Sequence, residues 1–228
     1  MNAEEVKLIL LNKLMFSQDA IYKLDAFCSA LKNYNLNYNL IAKSTIDNIW
    51  DRHVLDSAQL VKFIDFNDGS SLSDLGTGAG FPGIIIAIFN RNPEFHVKLF
   101  EKSPVKVKFL NSVCNNLNIK AEVYENDFRS HKITSEYVVS RAFKKLEEHI
   151  RISREIIKVN HKLIILKGRN ASEEIKKLNS NFNYSYTLEK SITSPDSRII
   201  ILDIKNLNEK NNFSDKSKRW CRKNNYGY

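Results

Sequence analysis

Cysteine is scarce and scattered. The three that occur, Cys28, Cys114 and Cys221, stand far apart, with no CxxC spacing and no histidine cluster beside them, which excludes a disulfide framework and a thiolate zinc site. They read as reduced cytosolic thiols, two of them on apolar helix faces. Long apolar runs are missing as well. The longest, Ile84 to Phe89, falls far short of the roughly 20 residues that cross a bilayer. The opening MNAEEVKLILLNKL carries acids where a secretory signal carries bases, and no small-residue cleavage site follows an apolar stretch. A soluble, cytoplasmic chain is expected. Acidic residues are in deficit, 26 against 35 Lys and Arg, giving a formal charge of +9 and a pI near 9.3. Such an excess suits a polyanionic partner, nucleic acid foremost, because clustered cations gain affinity by releasing counterions from phosphates. A biased genome would also raise the pI, so the distribution of charge matters. From Lys205 to Tyr228 there are seven Lys and Arg against two acids, interleaved with Trp220, Tyr226 and Tyr228. Lys218, Arg219, Arg222 and Lys223 are thus candidates for RNA contact, with a frayed, solvated tail as the alternative.

The 228 residues suffice for one well-buried α/β core with an appendage. Ser17 is a plausible cap for a helix to Tyr34 with Ile21, Leu24, Phe27, Cys28 and Leu31 on one face; Val6, Ile9, Leu10 and Leu14 mark a shorter helix before it. NYNLNYN breaks the period, and a helical pattern returns from Thr45 to Phe63. From Ser71 the texture changes. SLSDLG, HVKLFE, AEVYEND, EYVVSRAF and HKLIILKG read as strands separated by helical stretches, the signature of βαβ units on a parallel sheet. FNYSYTLEKS and SRIIILDIKN have no helix between them and predict an antiparallel hairpin at one sheet edge. The chain divides as a helical region over 1–65, an α/β core over 66–207 and a basic tail over 208–228.

Glycine is rare, seven in all, yet four of the seven fall within DLGTGAGFPG, residues 74–83. Gly78, Gly80 and Gly83 spell GxGxxG between a strand and a helix, with Glu101 about 20 residues on at the end of the next strand. Glycines permit close backbone approach, a helix N-terminus offers free N–H groups, and the acid suits a ribose diol. That physics leaves the ligand open. Asp74 and the extra Gly76 before the loop, Pro82 at the first helical turn and the terminal hairpin all depart from the nicotinamide arrangement.

Those features resemble the class I S-adenosylmethionine-dependent methyltransferases, Rossmann-like folds whose mostly parallel seven-stranded sheet ends in an antiparallel hairpin. More closely, the chain resembles the RsmG (GidB) family. Asn39 and Leu40, then Arg52, His53, Leu55, Asp56 and Ser57, match its NL and RHxLDS signatures. DLGTGAGFPG matches its loop, followed by Glu101, Lys102 and Ser103 with KVKFL, by Ser140, Arg141, Ala142 and Phe143, and by Leu166, Lys167 and Gly168. One departure stands out: Glu125, Asn126 and Asp127 replace an Arg-Ala-Glu type triplet, with the register open by one residue.

The resemblance implies methylation of guanine N7 in 16S ribosomal RNA, at guanine 527 of the 530 loop, with S-adenosyl-L-methionine as cofactor and no metal. It implies that Gly76 and Phe81 contact the methionine part, that Gly78 and Gly80 let the backbone approach it, that Glu101 chelates the ribose and that Asn126 and Asp127 frame the adenine; an ordinary Asx turn is the alternative for the last pair. Arg141 is assigned to the cofactor or target pocket, with a structural ion pair as its alternative, and Lys167 to the rim near RNA phosphate. Arg52, His53 and Asp56 are expected to dock the helical region onto the sheet. Guanine N7 carries a lone pair and no proton, so no general base is required and no catalytic acid or base can be named. The expected partner is 16S ribosomal RNA or a small-subunit precursor, met by a monomer. Methylation of another RNA site or a small molecule stays open, as does a non-catalytic RNA-binding protein.

Overall fold

The computed structural model describes residues 1–67, 69–141, 145–178 and 184–205. The tail residues Lys218, Arg219, Arg222 and Lys223, and Ala142 and Phe143 of the SRAF motif, lie outside the described residues.

The first two helices are delimited as their sequences demand. In α1 (Ala3–Lys13) the Glu5 N–H donates to the Asn2 side chain and the Asn2 N–H to the Glu5 carboxylate, each at 2.9 Å, a reciprocal capping box. In α2 (Gln18–Asn35) the Ser17 hydroxyl accepts from the Ala20 N–H, and the expected stripe of Ile21, Leu24, Phe27, Cys28 and Leu31 is buried. The helix expected from Thr45 to Phe63 is broken up: a 3-10 turn at Lys43–Thr45, a π-helical turn at Trp50–Leu55, α3 (Asp56–Ala58) and a 3-10 turn at Gln59–Phe63. Amphipathic spacing does not distinguish these windings, in which the hydrogen-bond reach grows by one residue from 3-10 to α and by one more from α to π.

Seven strands form one sheet: β1 (Ser71–Leu75), β2 (His96–Glu101), β3 (Glu122–Glu125), β4 (Tyr137–Arg141), β5 (His161–Lys167), β6 (Tyr184–Lys190) and β7 (Arg198–Ile204), in the order β3-β2-β1-β4-β5-β7-β6. β1 to β5 are parallel, and β7 runs antiparallel to both β5 and β6. The expected terminal hairpin is present. Helices α4 (Gly83–Phe89), α5 (Pro104–Asn116), α6 (Leu146–Ile156) and α7 (Ala171–Lys176) fill the connections. α7 buries only Ala171, so no apolar stripe announced it.

Central β1 is buried at every position, as a strand covered on both faces must be. α4, reading GIIIAIF, is apolar all round and needs cover on its outer side too; α2 and α3 supply it. One apolar cluster therefore runs from Leu10 and Leu24 through Ile84 to Leu99 and Ile164, so the helical region shares its core with the sheet. A second cluster, with Ile150, Ile165 and Leu202, fills the opposite face beneath α6. Cys28 and Cys114 are buried free thiols on their helices. No helix among the described residues is long and apolar enough to cross a membrane. The strand order reverses beside β1, where an open α/β sheet has its ligand crevice at the carboxyl ends of the strands.

Candidate active site at the carboxyl ends of the strands

The chain leaves β1 at Leu75 and turns sharply into α4. Gly76, Gly78 and Gly80 have φ of 74°, 63° and 102°, a region that side chains strongly disfavour. Gly76 and Thr77 donate their N–H groups to the Phe100 carbonyl at 2.9 and 3.0 Å, which pins the loop to the end of β2. Gly76 is exposed, and no heavy atom lies within 4 Å of the place a Gly78 Cβ would occupy, so these two present open backbone. Gly80 does not. A Cβ there would stand 2.6 Å from Ile84 Cγ1 and 3.2 Å from Leu110 Cδ2, so the missing side chain lets the loop pack on α4 and α5. Pro82 is the cap of α4 and Gly83 its first residue.

Asp74 organises this turn from below. Its carboxyl is fully buried, and Oδ2 accepts from the Gly83 N–H at 2.8 Å. Burial pushes its pKa up to about 7, opposed by the Thr77 hydroxyl and the Gly83 N–H and reinforced by the nearby Glu101 charge.

Glu101 ends β2 and spans the gap to the loop. Its Oε2 accepts from the Gly78 N–H and its Oε1 from the Ser103 N–H, both at 2.9 Å. An ionised carboxylate has about four lone-pair sites, so two remain for a donor such as a diol. The residue borders a cavity of about 320 Å³ that Gly76, Phe100, Asn126, Asp127 and Phe128 also line. Lys102, Lys106 and Arg129 complete its wall. Asn126 adopts φ of 83°, which asparagine tolerates better than most residues, and so turns the chain around the cavity edge. Asp127 Oδ1 accepts from the Arg129 N–H at 3.0 Å and lies 3.5 Å from Arg129 Nε. The Asx turn considered for this residue is thus present, and the same residue lines the cavity. Larger clefts, of about 470 Å³ at the amino ends of β2 and β3 and about 510 Å³ beside Lys62 and Asp203, lack a glycine loop of this kind.

Arg141, at the end of β4, is not in that cavity's wall. It meets the helical region instead: Nη1 donates to His53 Nδ1 at 2.9 Å, Nη2 to the Arg52 carbonyl at 3.0 Å, and Nε lies 3.5 Å from Asp56 Oδ2. The expected docking by Arg52, His53 and Asp56 is therefore present, with Arg52 acting through its backbone. A guanidinium has no acceptor, so His53 Nδ1 must be unprotonated, and Nε2–H donates to Thr45 Oγ1 at 2.8 Å. Thr45 in turn donates to the Ala42 carbonyl at 2.8 Å. Burial first, then the charges of Arg141 and Arg52, lower the His53 pKa to about 4. The His53 ring lies 5.0 Å from that of Phe81, which packs on Phe27 at 5.4 Å. Phe81 thereby connects the glycine loop to the Arg141 cluster, and Arg141 itself keeps 26% of its side chain exposed.

Lys167, expected at an RNA-facing rim, is buried and paired. Its Nζ lies 2.8 Å from Glu174 Oε2, an oxygen that also accepts from the Leu146 N–H at 2.6 Å. A strand-end lysine looked accessible only because α7, which carries Glu174, was invisible in the sequence. Thr45, Gln59 and Thr193 were also missed. Each is a single polar residue without a motif: Thr45 bonds His53, Gln59 reaches Asp56 within one helical turn, and only the fold brings Thr193 to Asp56.

The comparisons with known proteins agree with this architecture. The family model described as rRNA small subunit methyltransferase G matches residues 20–201. Curated relatives named ribosomal RNA small subunit methyltransferase G include those of Pelagibacter ubique, 35% identical over 85% of this chain and 92% of theirs, and of Zymomonas mobilis, 33% identical over 88% and 93%. Among solved structures, a mutant of MtNAS in complex with S-adenosylmethionine superposes with a TM-score of 0.54 at 12% identity, over 90% of this chain and 84% of that one. TrmN from Thermus thermophilus gives 0.53 at 12% identity, over 67% and 50%. The fold is that of the class I S-adenosylmethionine-dependent methyltransferases. With the loop, the strand-end acid and the RHxLDS cluster assembled as described, and the match spanning most of its length, the chain belongs to the rRNA small subunit methyltransferase G family.

Proposed function

We propose that this protein transfers a methyl group from S-adenosylmethionine to guanine N7 of small-subunit ribosomal RNA, at guanine 527 of the 530 loop. The observation that carries this reading is the family match over residues 20–201, which includes every residue of the Gly76–Glu101–Asn126 cavity. The residues fit the cofactor. Open backbone at Gly76 and Gly78 allows close approach, Glu101 has acceptor capacity to spare for a ribose diol, and Phe100 and Phe128 line the same space as Asn126 and Asp127, which can meet a base edge. When bound, S-adenosylmethionine supplies a methyl group on a sulfonium centre.

The protein's own contribution is alignment and exclusion of water. Guanine N7 offers its lone pair without losing a proton, so no side chain need act as a base. His53 is unsuited to that role, since both ring nitrogens are engaged. Arg141, partly exposed beside His53, is suited to grip a phosphate or the O6 edge of guanine. The reading makes the protein a cytoplasmic monomer acting on ribosomal RNA or an assembling subunit. The test is transfer of labelled methyl to small-subunit RNA, offered deproteinised and as particles, followed by mapping of the product. Label at a guanine N7 of the 530 loop supports the reading; label elsewhere redirects it to another RNA site, and S-adenosylmethionine binding without transfer to either substrate refutes it.

A further inference from the structure

The turn that joins β6 to β7, residues 191–197, lies far from Arg141 in sequence yet is wired to it. Gln59 is 2% exposed, and its amide is fully used. Nε2 donates to Ser191 Oγ and to the Asp56 carbonyl, both at 3.0 Å, and approaches Asp56 Oδ1 at 3.2 Å, while Oε1 accepts from the Ile192 N–H at 3.0 Å. Thr193 Oγ1 donates to Asp56 Oδ1 at 2.7 Å. A hydroxyl has one proton, so at the 2.8 Å contact between Ser191 and Thr193 it is Ser191 that donates. The relay from Gln59 through Ser191 to Thr193 therefore ends on one oxygen of the Asp56 carboxylate, whose other oxygen faces Arg141 Nε.

Resting on the reading of this site as one of RNA methyl transfer, we infer that the β6–β7 turn is a positioning device for Arg141: Gln59 anchors the turn, and Thr193 orients Asp56, which aims the guanidinium at the RNA. The geometry explains why so many polar groups converge here. The Asp56–Arg141 contact, 3.5 Å at Nε, adds to the shorter bonds from Nη1 to His53 and from Nη2 to the Arg52 carbonyl, so Asp56 sets the angle of a guanidinium whose remaining exposure is available to a ligand. The groups facing Asp56 are Arg141 from β4, Thr193 from the turn, and Gln59, Arg52 and Asp51 from its own helical run. Burial raises the Asp56 pKa, and Arg141 and the Thr193 hydroxyl are the leading influences that hold it down. Loss of the hydroxyl thus weakens both the orientation of Asp56 and its charge.

The experiment compares the full-length wild type with Thr193→Val and Thr193→Ser, measuring methyl transfer to small-subunit RNA across pH and calorimetric binding of S-adenosylmethionine. Thr193→Val is expected to lose about tenfold in kcat/KM for RNA, the effect of one hydrogen bond to a charged group. Cofactor affinity should be unchanged, and the acid limb of the pH profile should move to higher pH as Asp56 takes its proton earlier; Thr193→Ser should restore both. A Thr193→Val protein with wild-type kcat/KM and pH profile would overturn the inference, as would an equal loss of cofactor affinity or no rescue by serine. Wild-type protein that methylates no RNA sinks the functional reading, and this inference with it. If Thr193→Val does not fold, Gln59→Met, which releases the same turn, takes its place with the same expectations.

Discussion

Replacing Glu101 by glutamine isolates the chemistry of the cavity. In the folded chain each carboxylate oxygen accepts one backbone N–H, from Gly78 and from Ser103, at 2.9 Å. Glutamine preserves size but turns one oxygen into an N–H₂ donor, so one of the two backbone groups loses its acceptor and the loop loses part of its tie to β2. A hydrogen bond to a charged group contributes about 1.5–3 kcal/mol. A bound ribose diol would also lose its anionic acceptor. With one such bond lost to the ligand and the loop less ordered, the expected loss is about 3 kcal/mol, or roughly 150-fold in Kd. Calorimetric titration of S-adenosylmethionine into both proteins measures it, with NADH as a control for nonspecific nucleotide binding. Thermal unfolding of the variant checks that it is folded. Binding within about threefold of wild type would refute the reasoning, since it would mean that the free lone pairs of Glu101 hold nothing; NADH binding as tight as that of S-adenosylmethionine would refute the choice of cofactor.

The buried His53 imidazole should be visible in the pH dependence of stability. Its folded pKa, about 4, lies below the ordinary 6.5, so the unfolded chain takes up the proton first as pH falls. The contribution is flat above pH 6.5 and declines by about 3 kcal/mol between pH 6.5 and 4. Asp74, raised to about 7, acts with the opposite sign in an overlapping window, so the quantity to read is the difference between wild type and His53→Asn in urea unfolding, which should show the His53 slope alone. Gly83→Ala should destabilise by about 2 kcal/mol, a drop of roughly 4–8 °C in Tm, because the new Cβ collides with Leu99 and stands 2.8 Å from Asp74 Oδ2; an unchanged Tm would mean that β1 and α4 can move apart. Lys167→Met should cost about 2 kcal/mol by leaving Glu174 without its closest cation, while leaving the salt dependence of RNA binding unaltered; a shallower slope of affinity against salt would return this lysine to the RNA interface.

What was legible in the sequence follows from how local each signal is. The Ser17 cap and the stripe of α2, the alternation of strands with helices, and the absence of any helical pattern before β7 all express rules that act over a few residues. The glycine loop belongs to the same class: Gly78 needs its positive φ whatever lies around it, and Glu101 sits one βα unit away, close enough to be read as its partner. The π-helical turn at Trp50–Leu55 was not legible, because an amphipathic stripe looks alike in α, π and 3-10 windings over so short a span. Nor could spacing separate Gly78, which faces open space, from Gly80, which faces Ile84.

The sequence by itself determined the fold class, the glycine loop after β1, the acid opposite it and the basic character of the whole chain, since each rests on backbone conformation or on composition. Only the tertiary structure decided which cations are available and which are consumed. Lys167 is spent on Glu174, Arg141 is shared between Asp56 and His53, and Asp56 is reached by Thr193 from 137 positions away. A charged side chain has the same identity in every setting; whether it meets solvent, a ligand or an internal partner depends on desolvation and on groups that the chain brings together only by folding.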